Sequence, residues 1–220
     1  MDDNDASFRY LITSFTDFLT VAIHTILYER SIYPQTSFLS ARKYNLAVRQ
    51  SRHPKVCEWI NDAVAAVETE LLKGSVDKVA IVVYDKSNTP RERFVFDVSR
   101  FPMVAASELD TTLERTGPDG QKMSILPTVD MEEQFRATMS KLGNCGSKLQ
   151  ELPPGCTFTI AVELKGDGGA PLGHPQPWMP VESRKADDNA TKPHNRTTPV
   201  RAVAAGEMIF ETWIEEVKPN

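Results

Sequence analysis

The chain has 220 residues, of which 40% are hydrophobic and 25% are charged, and its formal net charge is −5. This composition supports a globular core and argues against a protein that grips nucleic-acid phosphates by itself, which would need many Lys and Arg contacts. An acidic start and the lack of about 20 uninterrupted apolar residues argue against secretion and membrane insertion.

The first predicted element is a long apolar helix near the N-terminus. Its hydrophobic residues recur at spacings of three and four over residues 8–27, which places them on one wide face. Asp5 or Ser7 can cap its start. Tyr33 marks its end, because a residue that precedes a proline, here Pro34, avoids the α region. We expect a helix this apolar to lie at the centre of the fold.

A basic stretch without regular periodicity follows, and after it a second helix is predicted. The helix begins at Pro54, since a missing N–H costs nothing at the first helical position, and ends near Gly74. Trp59 lies beside its apolar stripe. The basic stretch between the two helices, over residues 42–52, is expected to be irregular.

Two strands are predicted next. The β-branched run at residues 79–84 is typical of a strand buried on both faces, and the turn residues after it precede an alternating stretch at 93–98. The two strands are therefore expected to pair antiparallel. Residues 101–128 contain several prolines and glycines and few apolar residues, which indicates a surface insertion.

A third helix and two further strands complete the predicted elements. Asp130 can cap a helix whose apolar face continues to Leu149, and residues 156–164 then alternate as a strand. From Lys165 the chain is polar and rich in glycine and proline, with Trp178 as its one large apolar residue, until a last strand at residues 208–214. A polar tract between two strands must loop out and return.

The sequence contains no motif that indicates catalysis. No histidine has a partner at zinc-ligand spacing, no glycine-rich loop joins a strand to a helix, and no serine-hydrolase or metalloprotease motif occurs. Three cysteines without a CxxC spacing indicate a reduced, intracellular protein. We therefore expect a protein that is not an enzyme and that needs no cofactor or metal.

Several stretches resemble the HORMA-domain family, which includes the spindle-checkpoint Mad proteins and the accessory subunit of DNA polymerase zeta. The resemblance is carried by residues 26–34 (ILYERSIYP) with 42–44 (RKY), and most specifically by residues 153–159 (PPGCTFT). The last stretch, with 93–98 (RFVFDV) and 51–54 (SRHP), favours the branch of the polymerase zeta accessory subunit.

The resemblance implies an α+β HORMA fold, in which three helices pack on an antiparallel sheet. It further implies one domain over residues 1–220, with a core at 8–164 and a mobile C-terminal segment at 165–217, called the safety belt. In this family the belt wraps over a partner peptide and docks again on the sheet, here through a strand at 208–214. The peptide adds a strand to an open sheet edge.

The resemblance also implies roles for single residues. Tyr33 and Trp59 match positions that line the peptide pocket, and Trp178 matches the belt tryptophan that closes over the peptide. Ordinary core packing is the competing interpretation for Tyr33 and Trp59.

Two further surfaces follow from the same resemblance. Arg136 matches an arginine used for HORMA homodimerisation, for which a solvated helix charge is the alternative. Glu211 and Trp213 fall where relatives present a glutamine and a tyrosine to the C-terminal domain of the Rev-one polymerase. Since both residues differ here, that contact is expected to be altered.

Three functions remain open from the sequence. The first is a nuclear, non-catalytic adaptor that clamps a peptide of the catalytic subunit of DNA polymerase zeta and bridges it to the Rev-one polymerase in translesion synthesis. The resemblance also permits remodelling by an AAA+ ATPase. The second is a spindle-checkpoint adaptor of the Mad branch. The third is a DNA-binding module that uses the basic residues Arg42, Lys43, Arg49, Arg52 and Lys55. The net acidity argues against the third.

Overall fold

The computed structural model of the protein describes residues 7–116, 122–124, 128–166 and 196–217. The helices in this part of the chain are α1 (Phe8–Glu29), α2 (Pro54–Leu72) and α3 (Thr128–Leu142). The strands are β1 (Phe38–Lys43), β2 (Leu46–Ser51), β3 (Val76–Tyr84), β4 (Pro90–Asp97), β5 (Glu114–Thr116), β6 (Lys122–Ser124), β7 (Thr157–Leu164), β8 (Arg196–Ala205) and β9 (Met208–Glu216).

Five strands form one sheet in the order β7-β3-β4-β9-β8, and every neighbouring pair in it is antiparallel. The predicted α+β class is confirmed. The predicted strands at 79–84, 93–98, 156–164 and 208–214 correspond to β3, β4, β7 and β9. Two separate hairpins, β1–β2 and β5–β6, lie outside this sheet.

Helix α1 is the centre of the core, as its sequence predicts. Its apolar residues are almost fully buried, and its phenylalanines join the helix layer to the sheet. Phe15 packs edge-on against Phe210 of β9 at 5.5 Å between ring centroids, and Phe18 stacks on Phe135 of α3 at 4.7 Å. By length and composition α1 could cross a membrane, but 67% of its most apolar window is buried inside the fold, as expected for a core helix.

The ends of α1 only partly match the prediction. Ser7 is the N-cap, since its hydroxyl accepts a hydrogen bond from the backbone N–H of Tyr10 at 3.2 Å. The predicted end near Tyr33 is wrong, because the helix stops at Glu29 and Ser31 has a positive φ of 50°. A left-handed residue cannot continue the helix, so the chain turns before it reaches the proline.

The expectation of an irregular basic stretch after α1 is also wrong. Residues 38–51 form the β1–β2 hairpin, in which Lys43 pairs with Leu46 and only Tyr44 and Asn45 form the turn. Both turn residues have positive φ, 51° and 56°, as a two-residue hairpin requires. The missing apolar alternation in β1 and β2 reflects a hairpin that packs only partly on α1.

The third helix and the insertion before it differ from the prediction in their bounds. Helix α3 begins at Thr128 and ends at Leu142, while Cys145–Lys148 form a separate 3-10 turn. Part of the predicted surface insertion is tied to the start of α1, because Arg9 forms an ion pair with Asp110.

The C-terminal region holds one strand more than the sequence predicts. Residues 196–205 were expected to belong to a polar tract, but they form β8, which pairs with β9 along its length. Val200, Val203 and Ala205 are buried. The prediction failed because every second residue of an edge strand faces solvent and therefore makes the segment look polar. We call β8 and β9 together the terminal hairpin.

Candidate functional site

An aromatic cluster lies beside the outer strand β7. Phe158 of β7 packs edge-on against Trp59 of α2 at 5.0 Å between ring centroids, and against Tyr33 at 6.4 Å. All three side chains are partly buried, and burial raises the pKa of the Tyr33 hydroxyl. Elements far apart in the sequence thus bring three aromatic rings together next to a sheet edge. We call these three residues the aromatic cluster.

The β7 edge strand contains neither lysine nor proline, and the one irregularity of its pairing with β3 lies at Val76–Lys78 on the β3 side. No described strand pairs with its outer side, and its sequence, TFTIAVEL, has no proline and a single charge, Glu163. Exposed edges are usually blocked by lysine, proline or bulges, because their free N–H and C=O groups recruit other strands. The β7 edge is therefore suited to accept a further strand.

The opposite edge, formed by β8, is protected. It contains Pro199, two arginines and a bulge at Val200. The carbonyl of Val200 accepts a hydrogen bond from the Lys141 ammonium of α3 at 2.9 Å, and Arg201 donates to the Gln134 side chain at 2.6 Å. Helix α3 thus holds the terminal hairpin at this edge. The two edges differ in chemistry, and only the β7 edge is open to pairing within the described residues.

The connection between the two edges has far more length than it needs. Strands β7 and β8 run in the same direction with three strands between them, so the chain must return along the sheet and cross it. Strand spacings of about 4.8 Å and a rise of about 3.3 Å per residue give a minimum path of about 33 Å. The connection of about 30 residues could span about 100 Å when extended. The excess leaves room to pass around a bound segment.

A buried group of charges lies on the helix side of the sheet. Arg30, which ends α1, donates to both oxygens of the Glu92 carboxylate in β4 at 2.9 and 2.6 Å. Glu216 of β9 faces Glu92 across the strands, and its Oε1 accepts from the backbone N–H of Gln150 at 2.9 Å. Burial raises the pKa of Glu92, while the arginine opposes this shift and the Glu216 charge adds to it.

A family model for the HORMA domain matches residues 12–208 of the chain. The chain belongs to the HORMA-domain family. It is 35% identical to the DNA polymerase zeta processivity subunit of Schizosaccharomyces pombe, over 98% of this chain and 97% of that protein. It is 31% identical to the mitotic spindle assembly checkpoint protein MAD2B of Gallus gallus, over 91% of this chain and 88% of that protein.

Solved structures share the same fold at low sequence identity. A chain of the mitotic checkpoint complex matches with a TM-score of 0.69 and 18% identity, over 94% of this chain and 98% of that chain. HTP-2 bound to an HTP-3 motif matches with a TM-score of 0.61 and 12% identity, over 98% and 94%. The HORMA fold inferred from the sequence motifs is confirmed, and the relatives support an adaptor.

Among the residues assigned to the peptide pocket of this HORMA chain, the structure brings two together. Tyr33 and Trp59 meet through Phe158, while Trp178 lies outside the described residues. The role of all three in binding stays a prediction. Sequence reasoning missed Phe158 because its position in an alternating strand is equally typical of core packing. The signal was available, since Phe158 belongs to the most specific family motif.

The other predicted surfaces are at least partly accessible. Arg136 is exposed on α3 and forms an ion pair with Glu133 at 2.8 Å. Glu211 is exposed on β9, and Trp213 is partly buried against Ala80, Val82 and Val95 on the face of the sheet opposite the main core. These residues could contact other proteins, and their roles stay predictions.

The five basic residues of the DNA-binding alternative do not form a set of free cations. Lys43 forms an ion pair with Asp17 at 3.4 Å, and Arg49 lies over the Tyr28 ring at 4.7 Å. Arg42 donates to the side chain of Asn45 at 3.2 Å. Three of the five side chains therefore have protein partners, which weakens this alternative.

The described residues also contain no group of three His, Cys, Asp or Glu side chains placed to hold a metal ion. Burial raises the pKa of the Cys145 thiol to about 12, which keeps it protonated and unreactive near neutral pH.

Proposed function

We propose that the protein is a non-catalytic adaptor that binds an extended peptide of the catalytic subunit of DNA polymerase zeta along the outer edge of β7. The observation that carries the proposal is the unprotected β7 edge beside the aromatic cluster, with the terminal hairpin held at the other edge. Backbone pairing supplies affinity, and the aromatic rings select the side chains of the peptide.

The relatives support the choice of partner. One of them is named as a processivity subunit of DNA polymerase zeta, and the identity extends over nearly the whole of both chains. We further propose that the face around Glu211 and Trp213 binds the C-terminal domain of the Rev-one polymerase, that Arg136 serves homodimerisation, and that the protein acts in the nucleus. Remodelling by an AAA+ ATPase would release the bound peptide.

A spindle-checkpoint adaptor is the second candidate. It is favoured by the similarity to MAD2B, whose name places that relative in the mitotic spindle assembly checkpoint. The two candidates predict different partners for the same edge. Affinity purification followed by mass spectrometry distinguishes them, since the first predicts polymerase subunits and the second predicts mitotic checkpoint proteins.

Two tryptophan variants test the proposal, because each is expected to weaken binding of a different partner. We expect Trp59→Ala to weaken binding of a proline-containing peptide from the polymerase zeta catalytic subunit by about 2 kcal/mol, as loss of an aromatic anchor does. The matched control is Trp213→Ala, which removes another partly buried tryptophan, on the opposite face of the sheet. Trp213→Ala is expected to weaken binding of the Rev-one domain instead and to leave peptide binding unchanged. Calorimetry with both ligands measures the four affinities.

The same experiment includes the belt tryptophan. Trp178→Ala is expected to weaken binding of the polymerase zeta peptide by about 3 kcal/mol and to leave binding of the Rev-one domain unchanged. Circular dichroism verifies that each variant is folded. Unchanged peptide affinity in folded Trp59→Ala and Trp178→Ala proteins contradicts the proposed site, and so does a wild-type protein that binds none of the peptides that tile the catalytic subunit.

A further inference from the structure

A cleft of about 440 Å³ lies at the end of the sheet where β4 begins and β9 ends. Its walls come from the first residues of β4, the end of β9 and the segment at 150–153 that leads to β7. Its volume is typical of the pockets that bind small ligands, which hold about 300–1,000 Å³. The aromatic cluster does not line it, so this cleft is separate from the proposed peptide site.

The wall of the cleft contains a buried acceptor that lacks a hydrogen-bond donor. Glu216 lines the cleft and is only 6% exposed. Its Oε1 accepts from the backbone N–H of Gln150 at 2.9 Å, but its Oε2 has no hydrogen-bond donor among the described residues. Arg196 is 3.7 Å from this oxygen, which is too long for a hydrogen bond. Because a buried acceptor without a donor is costly, the cleft favours a ligand that donates one.

The two arginines next to Glu216 are already bound to other carboxylates. Arg30 donates to both oxygens of Glu92, and Arg91 donates to the Asp85 carboxylate at 2.8 Å. Neither is therefore free to neutralise Glu216. The charge of the Glu216 carboxylate makes the cleft attractive to a cation and unsuited to an anion.

The remaining wall residues suit the stem of a long side chain. Leu152, Pro153 and Val217 supply apolar surface, and Glu151 adds a second, exposed carboxylate. Arginine and lysine side chains have this mixed character, because the methylene stem packs on apolar surface while the charged head finds acceptors. Arginine suits two carboxylates better than lysine does, since its planar guanidinium has five N–H donors and is more weakly hydrated.

We propose that this cleft binds an arginine side chain of a partner protein, whose guanidinium donates to Oε2 of Glu216 while its stem lies along Leu152 and Val217. This contact does not depend on the peptide site at β7. A divalent metal ion is the other cation of interest, but the described residues contain no group of three His, Cys, Asp or Glu side chains placed to hold one.

A pair of small probes tests the charge requirement on the wild-type protein. The probes are N-acetyl-arginine amide and its neutral isostere N-acetyl-citrulline amide, in which an oxygen replaces one guanidinium nitrogen. Titration is followed by the chemical shifts of the backbone amides at 150–152 and 217. We expect saturable shifts with the arginine probe and at least about tenfold weaker binding of the citrulline probe, because hydrogen bonds between charged groups are stronger than neutral ones.

Three variants then locate the carboxylate. Glu216→Gln keeps an oxygen that can accept from Gln150 but loses the charge and the second acceptor, so the arginine probe is expected to bind at least about tenfold more weakly. Glu151→Gln is expected to cost about two- to threefold, since exposed ion pairs contribute little. The matched control is Glu215→Gln, which removes the same charge from a neighbour that pairs with Arg93 and does not line the cleft. It is expected to stay within about twofold of the wild type.

Each comparison can overturn the proposal. Citrulline that binds as tightly as arginine overturns it without any variant, and so does an equal loss in Glu216→Gln and Glu215→Gln, which would report net charge alone. Lys218 follows Val217 in the sequence and could supply a cation from within the chain. An arginine probe that binds only to a Lys218→Ala protein would assign the cleft to this lysine and overturn the partner, whereas equal binding to Lys218→Ala and to the wild type supports the proposal.

Discussion

His24 illustrates how burial changes the chemistry of a single residue. It lies on α1 and is only 4% exposed. Its Nδ1 accepts a hydrogen bond from the backbone N–H of Ser51, at 3.4 Å, because β2 covers this part of the helix. Burial lowers the pKa of His24 below 6.5. The folded protein therefore holds a neutral imidazole.

The lowered pKa predicts a pH dependence of stability. Below about pH 6.5 the unfolded chain binds a proton at His24 more readily than the folded protein does, so the free energy of unfolding falls as the pH decreases. The slope can reach about 1.4 kcal/mol per pH unit until the folded pKa is passed. Urea unfolding of the wild type and of His24→Gln between about pH 7.5 and 5.5 measures the difference in their free energies of unfolding at each pH. Contributions of other groups, which are common to both proteins, cancel in this difference.

The titration of Glu92 also contributes to the pH dependence of the free energy of unfolding, with the opposite sign to that of His24. The raised pKa of Glu92 means that the folded state binds a proton more readily than the unfolded chain, so this group stabilises the fold as the pH falls toward 4.5. Since Glu92 is present in both proteins, it cancels in the comparison. Stability curves of wild type and His24→Gln that stay parallel over the whole range would contradict the assignment to His24.

The β1–β2 hairpin shows how an element depends on contacts outside itself. Its turn places Tyr44 in the left-handed region, which a bulky side chain rarely adopts. The Tyr44 ring packs against Phe135 of α3 at 5.6 Å, and burial, together with the charges of Asp17 and Glu132, raises the pKa of its hydroxyl. The tertiary contact offsets the local backbone strain.

The second turn residue provides a test of this element. Asn45→Ala is expected to lower the free energy of unfolding by about 1 kcal/mol, because alanine tolerates a positive φ poorly. Asn45→Gly is the matched control and is expected to be neutral or slightly stabilising, since glycine adopts this conformation freely. Both variants also lose the hydrogen bond from Arg42, so a comparison between them isolates the backbone term. Equal stability of the two variants in urea unfolding would contradict a backbone penalty for alanine at position 45.

Strand elements were predicted well where they lie inside the sheet and poorly at its edges. Strand β3 is flanked by neighbours on both sides, and its apolar run leaves no alternative to a buried strand. Strand β8 is covered by α3 on one face only, and its proline and arginines resemble a loop. Which polar segment becomes a strand is decided by the partner it finds.

At the scale of the whole molecule, the crossing between the two sheet edges is the central feature. Strand β7 ends at one end of the sheet and β8 begins at the other, four strand positions away. The antiparallel pairing of all five strands imposes this arrangement regardless of the path in between. A chain that must cross the sheet with length to spare can enclose a partner without breaking its own core.

Shortening the connection tests this arrangement. Deletion of residues 182–191 leaves enough chain to cross the sheet, and we expect the free energy of unfolding to change by well under about 1 kcal/mol, because loop entropy depends only weakly on length. If the connection encloses the peptide as proposed, peptide dissociation is expected to accelerate at least tenfold while association changes little, because a shorter connection encloses it less completely. Thermal unfolding and stopped-flow fluorescence measure the two effects.

A second variant separates length from sequence. Replacement of residues 182–191 by glycine and serine preserves the length and is expected to retain slow peptide dissociation. Equal acceleration in both variants would mean that this sequence contacts the peptide, and no acceleration in either would contradict enclosure by the connection.

The candidate site could be predicted only in part. Tyr33 and Trp59 were assigned through the family resemblance, yet nothing in the sequence alone separates them from core residues. Phe158 joins them through a contact between β7, α2 and the turn after α1, which lie far apart in the sequence. The Arg30–Glu92–Glu216 group was invisible for the same reason, because isolated charges in a sequence do not reveal their partners.

The sequence by itself determined the elements whose periodicity is unambiguous: the central helix, the helix begun by Pro54, the buried strands and, through short motifs, the family. These features depend on local spacing, which one chain segment specifies alone. Only the tertiary structure decided that β7 and β8 form opposite edges, that one is protected and the other open, and that Arg30, Glu92 and Glu216 meet as a buried group of charges. These features arise from pairing between distant segments, where the contact and not the composition sets the energy.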